Sequence, residues 1–218
     1  MSAWVVALCC LLISDASPVR TSLPNADLAV YLTADPSQPP ASLEIMKREL
    51  SSLMQEAGFR IAWHDPQRPD RFGETSALVM LELRGVCGLP AGNYRLDRSV
   101  ESGASLAETS VTEQGVLPFS WVNCANLTRM IGPALVAEAP AQRDFLYGRA
   151  AARVVAHEFY HVMMGSRVHG HEGVAKPCFT VADLLNERFD FDSSALAKLR
   201  QRAIDGETHP DTESAVGR

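Results

Sequence analysis

The chain has 218 residues, of which 46% are hydrophobic, and a formal net charge of -6. That length fits a single domain with enough apolar residues for a core. An acidic balance with no basic stripe excludes a nucleic-acid binder, and there is no repeat or low-complexity tract.

Residues 3–13, "AWVVALCCLLI", form an apolar run too short to span a bilayer comfortably. Ser14-Asp15-Ala16 follows as a small-x-small cleavage pattern, so residues 1–16 read as a signal peptide, although no Lys or Arg precedes the run. The alternative is a buried strand or helix. A signal peptide implies secretion or a periplasmic location, with no stable membrane insertion after cleavage and residues 17–218 as one domain. It would also remove Cys9 and Cys10, leaving Cys87, Cys124 and Cys178. In an oxidising compartment two of these can pair. Cys87 follows one strand-like run and Cys124 ends another, so the expected disulfide is Cys87–Cys124, with Cys178 free. Three reduced thiols would be expected if the signal peptide were a misreading.

Alternation in residues 27–34 predicts a strand. Leu43, Met46, Leu50, Leu53 and Ala57 recur at helical spacing over 41–59, with Gly58 as the stop. Strands are predicted over 60–64 and 77–85, and strand–helix–strand order implies a parallel pair. Residues 86–104 read as an exposed loop. Two extended pieces flank Glu113-Gln114-Gly115. A helix is expected from Asn123 or Asn126 to about Gly132-Pro133, and a long one over 141–165, ended by Gly165. Two further helices are predicted over 180–189 and 193–204. Thr180 and Ser193 or Ser194 are their expected N-caps.

Four of the six histidines lie in "VVAHEFYHVMMGSRVHGHEG", residues 154–173. His157 and His161 are four apart on the long helix, so both imidazoles share a face and can reach one ion. Glu158 is rotated by about 100° from His157 and can lean over the open side of a metal. There it can take a proton from metal-bound water, which is the physical content of H-E-x-x-H. Val155, Phe159, Val162 and Met163 form a separate stripe that can bury the helix against a sheet. The histidine face, with Ala150 and Val154, then borders a cleft. Gly165 lets the chain turn back with a third ligand, His169, giving H-E-x-x-H-x7-H. His171 is the fallback. Three neutral imidazoles with one open position suit Zn2+. Cys178 as a ligand would instead argue for a closed structural site. His64 and His209 stand alone as loop histidines.

This segment resembles the active site of metzincin-type zinc metallopeptidases, which carry H-E-x-x-H-x-x-G-x-x-H. Here the glycine is displaced by one residue to Gly165, Arg167 stands at the usual third-histidine position, and His169 comes two residues later. No methionine follows Met164, so the methionine-bearing turn beneath the metal is missing. Residues 172–179 stand in its place, with Val174 or Ala175 as the apolar floor. The chain is also similar, over about 116–200, to a group of predicted secreted bacterial metallopeptidases with "AHE-x-x-H…G…H…G" and a two-helix tail.

The resemblance implies an α+β, zincin-like fold with a small mixed β-sheet, a backing helix and an active-site helix. A short helical C-terminal subdomain would follow. The upper subdomain would span about 24–165 and the lower about 166–205. The implied function is a secreted, monomeric zinc endopeptidase acting on a peptide or protein substrate, with Glu158 catalytic and His157, His161 and His169 as metal ligands. The substrate could lie extended along an edge strand within 105–122. Lys176, His171 and Arg167 are loop candidates for the oxyanion stabiliser, whereas Tyr160 falls on the wrong helix face. Two alternatives remain. One is a gluzincin-like peptidase with Glu187 as third ligand. The other is a non-catalytic, zinc-stabilised binding module with a blocked cleft.

Overall fold

The computed structural model describes residues 25–67, 75–89 and 105–208. The expected signal peptide, most of the 86–104 loop and His209 lie outside the described residues. The fold is α+β, with five strands in one mixed sheet of order β2-β1-β3-β5-β4.

The sheet begins with β1 (Ala26–Ala34), flanked in parallel by β2 (Phe59–His64) and β3 (Ala77–Arg84). Helix α1 (Pro40–Glu56) connects β1 to β2, and Gly58 makes the expected break at φ 93°. β5 (Gly115–Asn123) pairs in parallel with β3, and β4 (Ala107–Thr112) closes that side antiparallel to β5. Among the described residues β4 therefore has one unpaired edge. Its register with β5 slips between Thr109 and Val111. Pro118 of β5 falls in the slip, where its missing N–H costs no ladder bond.

Alternate residues of the central strands (Leu28, Val30, Val79, Leu81, Val122) are buried in one cluster with Met46 and Leu50 of α1. Val155 and Phe159 of α3 (Pro140–Met164) join them, as the predicted stripe requires. α1 and α3 approach so closely at Gly148 that a Cβ there would stand 2.5 Å from the Ser42 carbonyl oxygen. Arg149 and the fully buried Arg153 face Glu49 of α1 at 3.7 and 3.8 Å.

Three expectations about helix ends need correction. α2 (Cys124–Leu135), capped by the Asn123 side chain on the Asn126 N–H, does not stop at Gly132-Pro133. Leu127, Ile131 and Leu135 are spaced by four and fully buried, which holds the last turn together through Pro133. α4 (Val181–Leu185) is only five residues long, not ten. Arg153 Nη1 donates to the carbonyls of Asp183, Leu184 and Asn186, and Arg149 Nη1 to that of Leu185, which ends the helix early. Thr180 is its N-cap, in a capping box with Asp183. For α5 (Ser193–Thr208) the cap is Asp192 and neither serine, because Asp192 Oδ1 accepts from the N–H groups of Ser194 and Ala195.

The disulfide joins Cys87 to Cys124, and Cys178 is free and exposed. No described helix is long and apolar enough to cross a membrane.

Candidate metal centre and its cleft

The C-terminal half of α3 carries His157, Glu158 and His161, all buried. The helix ends in a Schellman turn. Gly165 takes φ 57°, its N–H donates to Val162 O, and the Ser166 N–H donates to His161 O. The Ser166 carbonyl then turns back to accept from His161 Nδ1 at 2.8 Å. One residue thus holds both the backbone and the ring of His161.

His157 is held in the same way by the next loop. Its Nδ1 donates to Val174 O at 2.8 Å. The Val174 N–H is fixed to Asp190 O, Gly173 bridges Phe191, and the Gly170 N–H donates to Ala175 O. Val174 and Ala175 are fully buried. They lie in the 172–179 segment, and neither lines the cleft.

A carbonyl oxygen can only accept, so each Nδ1 carries the proton and each Nε2 is bare. The two bare Nε2 atoms stand 3.2 Å apart. Two facing lone pairs repel unless a cation lies between or beside them. His169 returns past the Gly165 turn and stacks on His157 with ring centroids 5.2 Å apart. One nitrogen from each of His157, His161 and His169 lies within 4.8 Å of the others. His169 is exposed while the other two are buried, so the trio opens toward solvent on its side. The donor set fits a metal ion, and imidazole suits zinc among several transition metals.

His171 is not part of this group. Glu187 is exposed, and its carbonyl is taken by Arg153 Nη2. Cys178 shares the cleft but not the trio.

Burial also tunes the titrating groups. It pushes His157 down from 6.5 to about 4, helped by His161 and His169 and opposed by the bond to Val174. His161 is lowered for the same first reason. Burial raises Glu158 from 4.5 to about 7, against the hydrogen bond from Thr109, with Glu108 adding to the rise.

Thr109 and Ser120 are the residues that the sequence did not reveal. Thr109 Oγ1 donates to Glu158 Oε2 at 2.6 Å and lies 2.9 Å from Ser120 Oγ. The two hydroxyls are a cross-strand pair of β4 and β5, beside the register slip. With Glu158 ionised, Ser120 donates to Thr109 and Thr109 donates to the carboxylate. Glu158 Oε1 has no hydrogen-bond partner among the described residues.

These groups line one open cleft of about 1510 Å³. β4 forms one wall, α2 one end, and the loop carrying Arg167, His169 and Phe179 the other wall. Among the loop candidates for an oxyanion stabiliser, Lys176 is engaged by Asp183 at 2.7 Å. Arg167 lines the cleft without an ionic partner among the described residues. Tyr160 is buried against Phe191, away from the cleft.

Comparison of the chain with models of known protein families and with curated proteins finds no match in either.

Proposed function

We propose that this chain is a zinc-dependent endopeptidase of metzincin-like, zincin-type fold, exported from the cell. One observation carries the reading. Two bare Nε2 atoms 3.2 Å apart and a third imidazole share an open cleft with a glutamate that keeps one oxygen free. Zinc, when bound there, supplies a Lewis acid that acidifies water and polarises a scissile carbonyl.

The chain's own residues supply the remaining functions. His157, His161 and His169 hold the ion, and the Val174 and Ser166 carbonyls fix two of the rings. Glu158 accepts the proton of the attacking water on its free oxygen and returns it to the leaving amine. Burial raises its proton affinity in the metal-free protein, and a bound cation beside it would oppose that rise. The unpaired edge of β4 offers backbone groups to an extended peptide. An enclosed or blocked cleft would favour the non-catalytic binding module, whereas the described residues leave this cleft open. Export is supported by the disulfide, which persists in oxidising compartments.

The test combines metal analysis with digestion of an unfolded protein. The wild type is expected to bind one zinc per chain and to lose turnover to a chelator. Glu158→Gln should keep the zinc and lose turnover by a factor on the order of a hundred or more. His169→Ala should weaken zinc binding. A zinc-loaded Glu158→Gln variant that digests as fast as the wild type would overturn the proposal.

A further inference from the structure

Arg129 reaches the same cleft from α2 and has no carboxylate partner among the described residues. Its Nη1 donates to Asn126 Oδ1 at 2.8 Å, and Asn126 Nδ2 donates to the Ser105 carbonyl at 2.8 Å. Asn126 itself is anchored where the Asn123 cap starts the helix. The guanidinium is therefore braced at the Ser105 end of β4 and half-buried, with only Nη1 engaged among the described residues. A guanidinium held in this way can present two parallel N–H groups to a carboxylate.

Apart from Glu158 on α3, the acids that line the cleft lie elsewhere along β4. Glu108 sits beside Thr109, close enough to raise Glu158, and Glu113 lies at the turn into β5. Neither is paired with a cation among the described residues, so an anion lying near them is repelled. An anion near Ser105 meets Arg129 instead. Ser105 lies four residues before Thr109, the residue that touches Glu158, and joins β4 through a bend at Leu106.

We infer that Arg129 forms a carboxylate-binding subsite, so that the cleft takes extended peptides bearing an acidic group on the Ser105 side of the bond cleaved. This rests on the peptidase reading. The carboxylate can come from an acidic side chain or from a free C-terminus.

The test uses zinc-loaded Glu158→Gln protein, so that peptides bind without being cut. The probes are fluorescein-labelled peptides of small neutral residues in which one glutamate is moved position by position, with an all-glutamine counterpart. Each is made with a free and with an amidated C-terminus, and binding is read by anisotropy. We expect one glutamate position, or the free C-terminus, to bind about tenfold more tightly than its neutral counterpart. Adding Arg129→Gln should erase that preference and leave neutral-peptide affinity and the thermal melt unchanged. Adding Arg167→Gln should leave the preference intact. The subsite is refuted if the preference survives Arg129→Gln, if it follows Arg167, or if neutral and acidic peptides bind alike. If zinc is bound but no peptide binds, the peptide-substrate reading fails and the subsite with it.

Discussion

The hydroxyl of Thr109 occupies one oxygen of Glu158 and leaves the other without a hydrogen-bond partner among the described residues. Removing that hydroxyl frees the carboxylate to rotate and to lose its aim. Thr109→Val keeps the shape but not the donor. A hydrogen bond to a charged group contributes about 1.5–3 kcal/mol, so kcat should fall roughly tenfold to a hundredfold. KM and zinc content should stay near wild type, and Thr109→Ser should restore most of kcat. Steady-state kinetics of the two variants decide it, and equal kcat for the valine and serine forms would deny Thr109 this role.

Proton linkage gives a second prediction at the residue scale, for metal-free protein. His157 is depressed to about 4, so from 6.5 down to that value the unfolded chain binds a proton that the folded chain does not. That linkage lowers stability as pH falls. Glu158 is raised to about 7, so between 4.5 and 7 the folded chain holds a proton that the unfolded chain has released. That linkage lowers stability as pH rises. In the shared window each changes stability by about 1.4 kcal/mol per pH unit, with opposite sign. The wild type should therefore be nearly flat, with a shallow acid loss from His161. Glu158→Gln removes one side and should lose stability steeply toward acid. Urea midpoints in chelator across this range test it, and a flat profile for the variant would contradict the assigned shifts.

Element by element, what the sequence displayed was local. Strand alternation and the 41–59 periodicity marked β1 to β5 and α1, and the row from His157 to His161 lies within one helix. The Gly165 break pointed to His169 because a left-handed turn reverses the chain within a few residues. Thr109 was not legible, because it touches Glu158 across 49 positions and reads in isolation as an ordinary strand former. α4 looked longer because its terminating partners are arginines of another helix. Arg149 and Arg153 do continue the four-residue row of His157 and His161, and that signal was available. The loop under the metal centre makes a sharper test of how elements support the site. A Cβ at Gly173 would run into the Asp190 carbonyl, and φ there is 60°. Gly173→Ala should cost about 2–4 kcal/mol and weaken zinc binding by displacing the Val174 carbonyl from His157. At Gly165 a Cβ meets nothing within 4 Å, so Gly165→Ala should cost only about 1–2 kcal/mol, from the left-handed backbone. Denaturation and zinc titration of both variants separate the two, and indistinguishable zinc affinities would mean that the loop does not hold His157.

Across the whole molecule, the cross-link and the metal centre stand at different places in the architecture. The disulfide ties the chain just beyond β3 to the start of α2, over a sequence separation of 37. The same corner is braced by Gln38, which donates to Gly85 O and accepts from the Cys87 N–H. The histidines are held instead by carbonyls C-terminal to α3, from Ser166 and Val174. Loop-closure entropy for a link of this length corresponds to about 4 kcal/mol. The double variant Cys87→Ala with Cys124→Ala should therefore lose about that much in denaturant, with allowance for the small cavities left by two buried sulfurs. Its folded fraction should still bind one zinc, because none of the ring supports passes through the cross-link. The brace of Arg129 is different, since Asn126 lies two residues beyond Cys124 on α2. Any loss of acidic-peptide preference in that variant should therefore precede loss of metal as denaturant is raised. Zinc content and peptide anisotropy followed along one urea series would show the order, and simultaneous loss of both would mean that the sheet, α2 and the metal centre open as one unit.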